Sequence, residues 1–382
     1  MKFLRGLAIN LLVLAAAATV FALGAEGVVR VLSLDKEGVE DWGTRASILR
    51  NSADPDIGLE LVPGAKGKII GIDVSISKAG IRDRDFPKEK TPGVNRVMVI
   101  GDSITFGYGV KRDDAYPKVL ERALNEKEPG KWEVINFGTP GVNITEYVSM
   151  FLKRGAEYKP DLVIVGYCLN DVDPPARNMP NRLAEGTTDI EYHRNKKKAR
   201  LLKEGKNLMR WEIPISAATE KTLNEHSALY RLVSRRWDVL LNKYGIRNNN
   251  PVISIDDTFT SQKRYFDEVA ARYDGEMWGV AQKEFEKLLT YTSQHGIKLI
   301  VAVFPFLIDV DGKYPYWRLH EKIGQFLISK GDPPLDIKLI FDREKLENKN
   351  LWVGGFDMIH FTPPGHMAVA EALRDRIFEL RK

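Results

Sequence analysis

Residue types that could do covalent chemistry stand at four separated places in this 382-residue chain. They are Gly101-Asp102-Ser103, Asn136-Phe-Gly-Thr-Pro-Gly141, Gly166-Tyr-Cys-Leu-Asn-Asp171 and Asp357-Met-Ile-His360. A serine hydroxyl is a weak nucleophile until a neighbouring base takes its proton, so a hydrolytic serine needs a histidine. That histidine needs a carboxylate to fix its tautomer and to stabilise the imidazolium. Asp357 and His360, three positions apart, can meet within one turn or a tight loop. Two or three preorganised N–H donors then stabilise a tetrahedral oxyanion, each worth about 10²–10³ in rate.

The flanking sequence says what must position these groups. Arg96 to Ile100 is mostly branched and apolar and reads as a buried strand, which Gly101 and Asp102 break. A serine between a strand end and a helix start has an exposed hydroxyl, with helix amides facing a developing negative charge. The same serine could be an ordinary helix N-cap. Spacing predicts further strands at Trp132–Phe137, Asp161–Gly166, Ile297–Phe304 and Ile337–Phe341. It predicts helices at Tyr116–Leu124, Ile144–Arg154, Ala281–His295, Pro315–Ser329 and Pro363–Leu380, the last opened by Thr362 and Pro363. Alternating apolar strands and helices imply an α/β fold, a parallel sheet covered on both faces. Sites in such sheets form at the carboxyl ends of the strands. Ser103, Gly141 and Asn170 fall there, with Asp357 and His360 after the fifth strand.

In this order the four pieces resemble the SGNH (GDSL-type) hydrolases, a family of esterases, lipases and carbohydrate deacetylases. The resemblance covers residues 95–382, apart from an insertion at 172–250. It implies a flavodoxin-like three-layer α/β/α sandwich with a five-stranded parallel sheet. It also implies Ser103 as nucleophile, His360 as general base and Asp357 as the group orienting it. The oxyanion donors would be the amides of Ser103 and Gly141 and the Asn170 side chain. Two departures are visible: Leu169 stands where many members have glycine, and His360 is followed by Phe-Thr-Pro-Pro. The implied activity is an extracytoplasmic serine esterase or deacylase acting through an acyl-enzyme, with no metal or organic cofactor. Its substrate would be an acylated small molecule, lipid or polysaccharide. An O-acyltransferase modifying envelope polysaccharide, or a non-catalytic polysaccharide-binding protein, could carry the same residues.

Plainer readings stand beside these. Asn170 and Asp171 could cap a helix, and Gly141 could be a turn glycine. Asp102 is expected to pin the elbow through backbone hydrogen bonds, and His366, Tyr108 and Asn143 to be structural. Cys168 reads as a small buried hydrophobe rather than a thiol nucleophile. As the single cysteine, it allows neither an intramolecular disulfide nor a cysteine-based zinc site. The six histidines form no HExxH-type spacing, which disfavours a metal enzyme. A net charge of +5 does not imply nucleic acid.

The remaining segments organise the chain. Lys2 and Arg5 precede the largely apolar run Leu7–Leu23, interrupted by Asn10 and Thr19. The run is at the short end of the about 17–25 residues of a spanning helix and long for a signal core of about 7–15. Residues 1–30 therefore read as a transmembrane anchor, with a cleaved signal sequence at Ala22-Leu23-Gly24 as the rival. The basic flank exports the remainder. Residues 31–94 form a linker and a small β-containing extension, with Ile72–Ser77 as its clear strand. Arg82-Asp83-Arg84-Asp85 reads as a solvated charge run. The insertion is expected to be mainly helical. It carries Lys196-Lys-Lys198 and Arg235-Arg236, which could attract anionic membrane or polysaccharide. Its amphipathic stretch Ser227–Tyr244 would pack on the core. Tyr314, Tyr316 and Trp317 could stack on sugar rings, with core packing the default.

Overall fold

The computed structural model describes residues 2–31, 48–69, 72–174, 222–223, 226–230, 255–310, 312–353 and 357–381. The chain divides into two compact units, Met1–Glu40 with His193–Ser254, and Asp41–Tyr192 with Ile255–Lys382.

In the first unit, helix α1 spans Lys2–Val31. Among its described side chains, Val13, Leu14, Val20, Phe21 and Leu23 are exposed. Among the described residues no helix is long and apolar enough to cross a membrane. Glu26, near the end of α1, accepts 2.8 Å hydrogen bonds from the amides of Leu229 and Ala228 and from the Ser227 hydroxyl. Of the expected Ser227–Tyr244 helix only the first turn lies within the described residues. Apart from residues 172–174, 222–223 and 226, the rest of the insertion, with both basic clusters, lies outside them.

The second unit opens with two antiparallel pairs, β1 (Leu49–Asn51) with β2 (Leu59–Leu61), and β3 (Lys66–Ile69) with β4 (Ile72–Ser75). In chain order there follow β5 (Asn95–Gly101), α2 (Ser103–Phe106), α3 (Tyr116–Lys127), β6 (Trp132–Asn136), α4 (Ile144–Met150) and β7 (Leu162–Cys168). Next come α5 (Ile255–Arg272), α6 (Glu276–Gln294), β8 (Lys298–Phe304), α7 (Trp317–Ser329), β9 (Leu335–Asp336) and α8 (Ile337–Arg343). The chain closes with α9 (Asn348–Leu351), β10 (Trp352–Val353), β11 (Asp357–Phe361) and α10 (Pro363–Glu379). The main sheet runs β6-β5-β7-β8-β9, every pair parallel. Helix α3 packs with α10 and α10 with α8, while α4 packs with α6, completing the flavodoxin-like three-layer α/β/α architecture. Because β6 and β7 flank β5 on opposite sides, the strand order reverses at β5. In such sheets sites form at the carboxyl end of the strand where the order reverses.

Two expectations are corrected. Ile337–Phe341 is not the fifth strand but the body of α8; the strand is the two residues before it. Asp336 decides this, because its carboxylate accepts from the Lys338 amide at 3.0 Å and caps the helix. The buried positions 337, 338, 340 and 341, with Leu339 exposed, then follow a helical period. Nor is the 82–85 charge run fully solvated. Arg82 and Asp83 are buried. Asp83 takes hydrogen bonds from Lys118 Nζ and the Asn136 amide, both at 3.0 Å, and so ties the N-terminal extension to α3 and β6. Arg84 forms a two-pronged pair with Glu121. Burial of two charges is tolerable here because each meets a partner in place of water.

Losing the α8 cap should be visible in stability. Asp336 also holds His320 Nδ1 at 2.9 Å. Asp336→Ala is expected to lower the unfolding free energy by about 1–2 kcal/mol. Urea denaturation reads this, and an unchanged midpoint would count against the cap.

Candidate active site

The carboxyl end of β5 carries the serine because the backbone there accepts only particular residues. Gly101 has φ +157°, and a Cβ on it would lie 2.3 Å from Thr105 Oγ1 and 2.6 Å from the Gly166 carbonyl. Asp102 Oδ1 then accepts from the Ile104 amide at 2.9 Å, starting the four-residue helix α2 with Ser103 at its first position. Gly107, in the left-handed region at φ +86°, ends it. The loop after β6 seats against the same turn. The Thr139 amide donates to the Gly101 carbonyl at 3.1 Å, and Gly138 approaches the Phe106 amide so closely that a Cβ would stand 2.3 Å away.

His360 reaches this serine from β11. The Ser103 hydroxyl donates to His360 Nε2 at 2.8 Å, and the His360 Nδ1–H donates to Asp357 Oδ2 at 2.6 Å. The three-residue spacing is closed by a side-chain turn: Asp357 Oδ1 accepts from the amides of Ile359 at 2.9 Å and His360 at 3.1 Å. Burial alone would push the Asp357 carboxyl up. The His360 charge, its hydrogen bond and the two amides outweigh it and hold the carboxyl below its ordinary range. The hairpin is held in turn by Gln262 of α5, whose side-chain oxygen accepts from the Met358 amide at 2.9 Å. Chemically, this relay can take a proton from a serine hydroxyl and hold the resulting imidazolium.

Gly141 and Asn170 follow β6 and β7 respectively, the two strands that flank β5. Gly141 is exposed with φ +80°, and its amide makes no hydrogen bond among the described residues. Asn170 sits in a tight turn, Leu169–Val172, with its Oδ1 buried and unpartnered. No hydrogen bond joins either residue to Ser103 or His360. The turn is fixed from beneath: Asp171 Oδ2 accepts from the Cys168 amide at 2.9 Å and Tyr147 Oη at 3.3 Å. Tyr273 Oη donates to the Leu169 carbonyl at 2.8 Å. Helix α5, which sequence spacing did not single out, supplies Gln262 and also Tyr265, whose hydroxyl donates to Asp173 Oδ2 at 2.9 Å.

The structural readings of the other residues can now be placed. His366 Nδ1 accepts from the Tyr116 amide at the start of α3, and burial, with the charges of His360 and Arg82, lowers its imidazole to about 3. Asn143 caps α4 in a reciprocal box with Glu146. Cys168 is fully buried and burial pushes its thiol well up, away from nucleophilic thiolate. Tyr314 and Tyr316 are core residues. Tyr108 is a buried packing residue as expected, and its ring lies 4.4 Å from that of His360. The signal for it was the Gly-Tyr-Gly spacing, both glycines having positive φ. Among the described residues no group of three or more His, Cys, Asp or Glu side chains is arranged to hold a metal.

Residues 99–368 match the model of the GDSL-like lipase/acylhydrolase family. No curated protein matches the chain. Similar solved structures include the lipase/acylhydrolase from Enterococcus faecalis, 14% identical with a TM-score of 0.39 over 74% of this chain and 95% of that one. An acetylxylan esterase from Geobacillus stearothermophilus is 13% identical with a TM-score of 0.39, over 75% and 96%. An α/β hydrolase from the Lake Arreo metagenome in Spain is 14% identical with a TM-score of 0.39, over 73% and 93%.

One group beside the serine carries a stability cost that titrates. Asp102 is buried, and burial raises its carboxyl from 3.8 to about 6 against the pull of the Ile104 amide and His360. The same cause, reinforced by Asp102, raises Asp171 well above its usual range. A carboxyl raised on folding favours the folded state while protonated, and that advantage fades as pH climbs from about 4 to about 6. Asp102→Asn keeps the acceptor for Ile104 and removes the charge. It is expected to stabilise the fold by about 1–3 kcal/mol at pH 8 and by little at pH 4. Urea denaturation at the two pH values reads this, and equal differences would rule out titration as the source.

Proposed function

This chain belongs to the GDSL-like lipase/acylhydrolase family and acts on ester bonds, and on that premise we propose that it cleaves O-acyl esters through Ser103, His360 and Asp357. The observation that carries this reading is the hydrogen-bonded relay from Ser103 Oγ through His360 to Asp357 at the carboxyl end of β5. Ser103 Oγ attacks the acyl carbonyl as its proton passes to His360 Nε2, and Asp357 holds the imidazolium. The oxyanion is stabilised by the amides of Ser103 and Gly141 and by the Asn170 side chain. His360 then gives its proton to the departing alcohol. Water, deprotonated by His360, attacks the acyl-enzyme; as the acyl–Oγ bond breaks, His360 returns that proton to Ser103 Oγ and the carboxylic acid leaves. Ser103 is half-buried while Gly141 is exposed, which suits an acyl group entering from solvent.

The proposed substrate is an O-acylated carbohydrate or lipid outside the cytoplasm, with the sequence of residues 1–30 as the membrane tether. Support for the tether comes from sequence: Lys2 and Arg5 stand ahead of the Leu7–Leu23 run, whose polar breaks are Asn10 and Thr19. Retention in the membrane fraction after an alkaline carbonate wash is the expected outcome; full release would overturn it.

The full chain in detergent should label with a fluorophosphonate and turn over p-nitrophenyl acetate. Ser103→Ala and His360→Ala are each expected to lower kcat by about 10³-fold or more. Asn170→Ala should lower it by about 10²-fold. A Ser103→Ala variant that still labels and turns over would sink the triad.

A further inference from the structure

Hydrogen bonds to Ser103 and Asp357 lie in the plane of the His360 imidazole, so they fix its direction but resist tilting out of that plane only weakly. Something must bear on the ring face. Tyr108 does: its ring is 4.4 Å from that of His360, inclined by 35°, and the residue is only 4% exposed.

The loop that carries Tyr108 is pinned on both sides. Gly109, at φ +79°, lies against Val353, where a Cβ would meet Cγ1 at 2.4 Å. Val353 pairs with Asp357 across the β10–β11 ladder, so the loop and the histidine share one hairpin. From the other side the buried Arg82 guanidinium brackets Tyr108. Its Nη1 donates to the carbonyls of Phe106 at 3.1 Å and Gly107 at 2.5 Å, and its Nη2 to that of Val110 at 2.7 Å. The first of these is among the carbonyls at the end of α2 that have no partner within the helix. The N-terminal extension also contributes packing, since Ile48, Leu61, Ile69 and Val74 form one small core with Phe106 and Tyr108.

We propose that Tyr108 is a positioning residue for His360 and that Arg82 holds it in place, so that the segment preceding the main sheet is part of the catalytic apparatus. This rests on the reading of His360 as general base. Because Tyr108 is buried, its role is to steady the base rather than to bind substrate. Damage should therefore fall on kcat and leave KM alone.

The test uses the full chain in detergent, with kcat and KM for p-nitrophenyl acetate and the rate of fluorophosphonate labelling. Tyr108→Leu is expected to lower kcat and labelling together by about 10–100-fold, with KM within about twofold. Tyr108→Phe keeps the ring and should rescue kcat to within about threefold of the parent. Arg82→Lys keeps the charge but loses the fork that spans three carbonyls, and should show the same kcat-only loss in smaller measure. If the leucine variant does not fold, as judged by thermal melting, Tyr108→Met makes the same comparison with a more adaptable side chain. A folded leucine or methionine variant with unchanged kcat overturns the proposal. So does a rise in KM in place of the fall in kcat, or a phenylalanine variant as impaired as leucine. Ser103→Ala separates the two ideas: if it retains turnover, the triad reading fails, whatever Tyr108 does.

Discussion

A 2.8 Å hydrogen bond joins Ser103 to His360 across 257 positions of chain. Closing a flexible loop of that length costs on the order of 5 kcal/mol in chain entropy, before orientation is counted. One hydrogen bond returns about 1 kcal/mol net. The contact therefore cannot hold itself together; the fold imposes it. Strand β5 ends in a glycine that admits no side chain, α2 begins at once, and the β10–β11 hairpin is docked by Gln262 and by the Leu307 amide. Each end of the bond is thus fixed by neighbours that do not take part in it.

The same region concentrates buried charge. Arg82, Asp83, Lys118, Arg96, Asp102 and Asp171 are all buried near the sheet or the elbow. A buried charge is costly unless it is paired or hydrogen-bonded. The cations meet carboxylates and backbone carbonyls: Arg96 alone reaches the carbonyls of Pro87, Lys88 and Tyr158 as well as Glu133. Asp102 and Asp171 are less well served, and both titrate upward. The molecule accepts that destabilisation at the turn carrying Ser103, where Asp102 is needed to start α2. Local cost at a site with a positional task is a familiar trade.

How far the sequence could be read depended on whether a signal was local. The β5 apolar run, the glycine break after it and the Asp357–His360 spacing are local, and they placed the serine and the histidine at element ends. Ile337–Phe341 was ambiguous because five apolar-rich residues fit either period, and only the capping bond from Asp336 settled it. Arg82 could not be read at all. A guanidinium in a run of charges looks solvated until the carbonyls of Phe106, Gly107 and Val110 arrive from 24–28 positions away. Helix α5 was missed for a related reason, since its contributions through Gln262 and Tyr265 are to distant turns.

By itself, then, the sequence determined the alternation of strands and helices, the breaks that end each strand, and the residue types at those breaks. Those follow from periodicity and backbone preference, which act over a few residues. Tertiary structure alone decided that His360 points at Ser103, that Asp357 turns back through its own side chain, and that Tyr108 rests on the imidazole face. It also decided that a surface-looking arginine lies beneath the elbow. Such facts depend on which carbonyl, ring or carboxylate comes within 3–5 Å once the layers pack, and no short-range pattern encodes that.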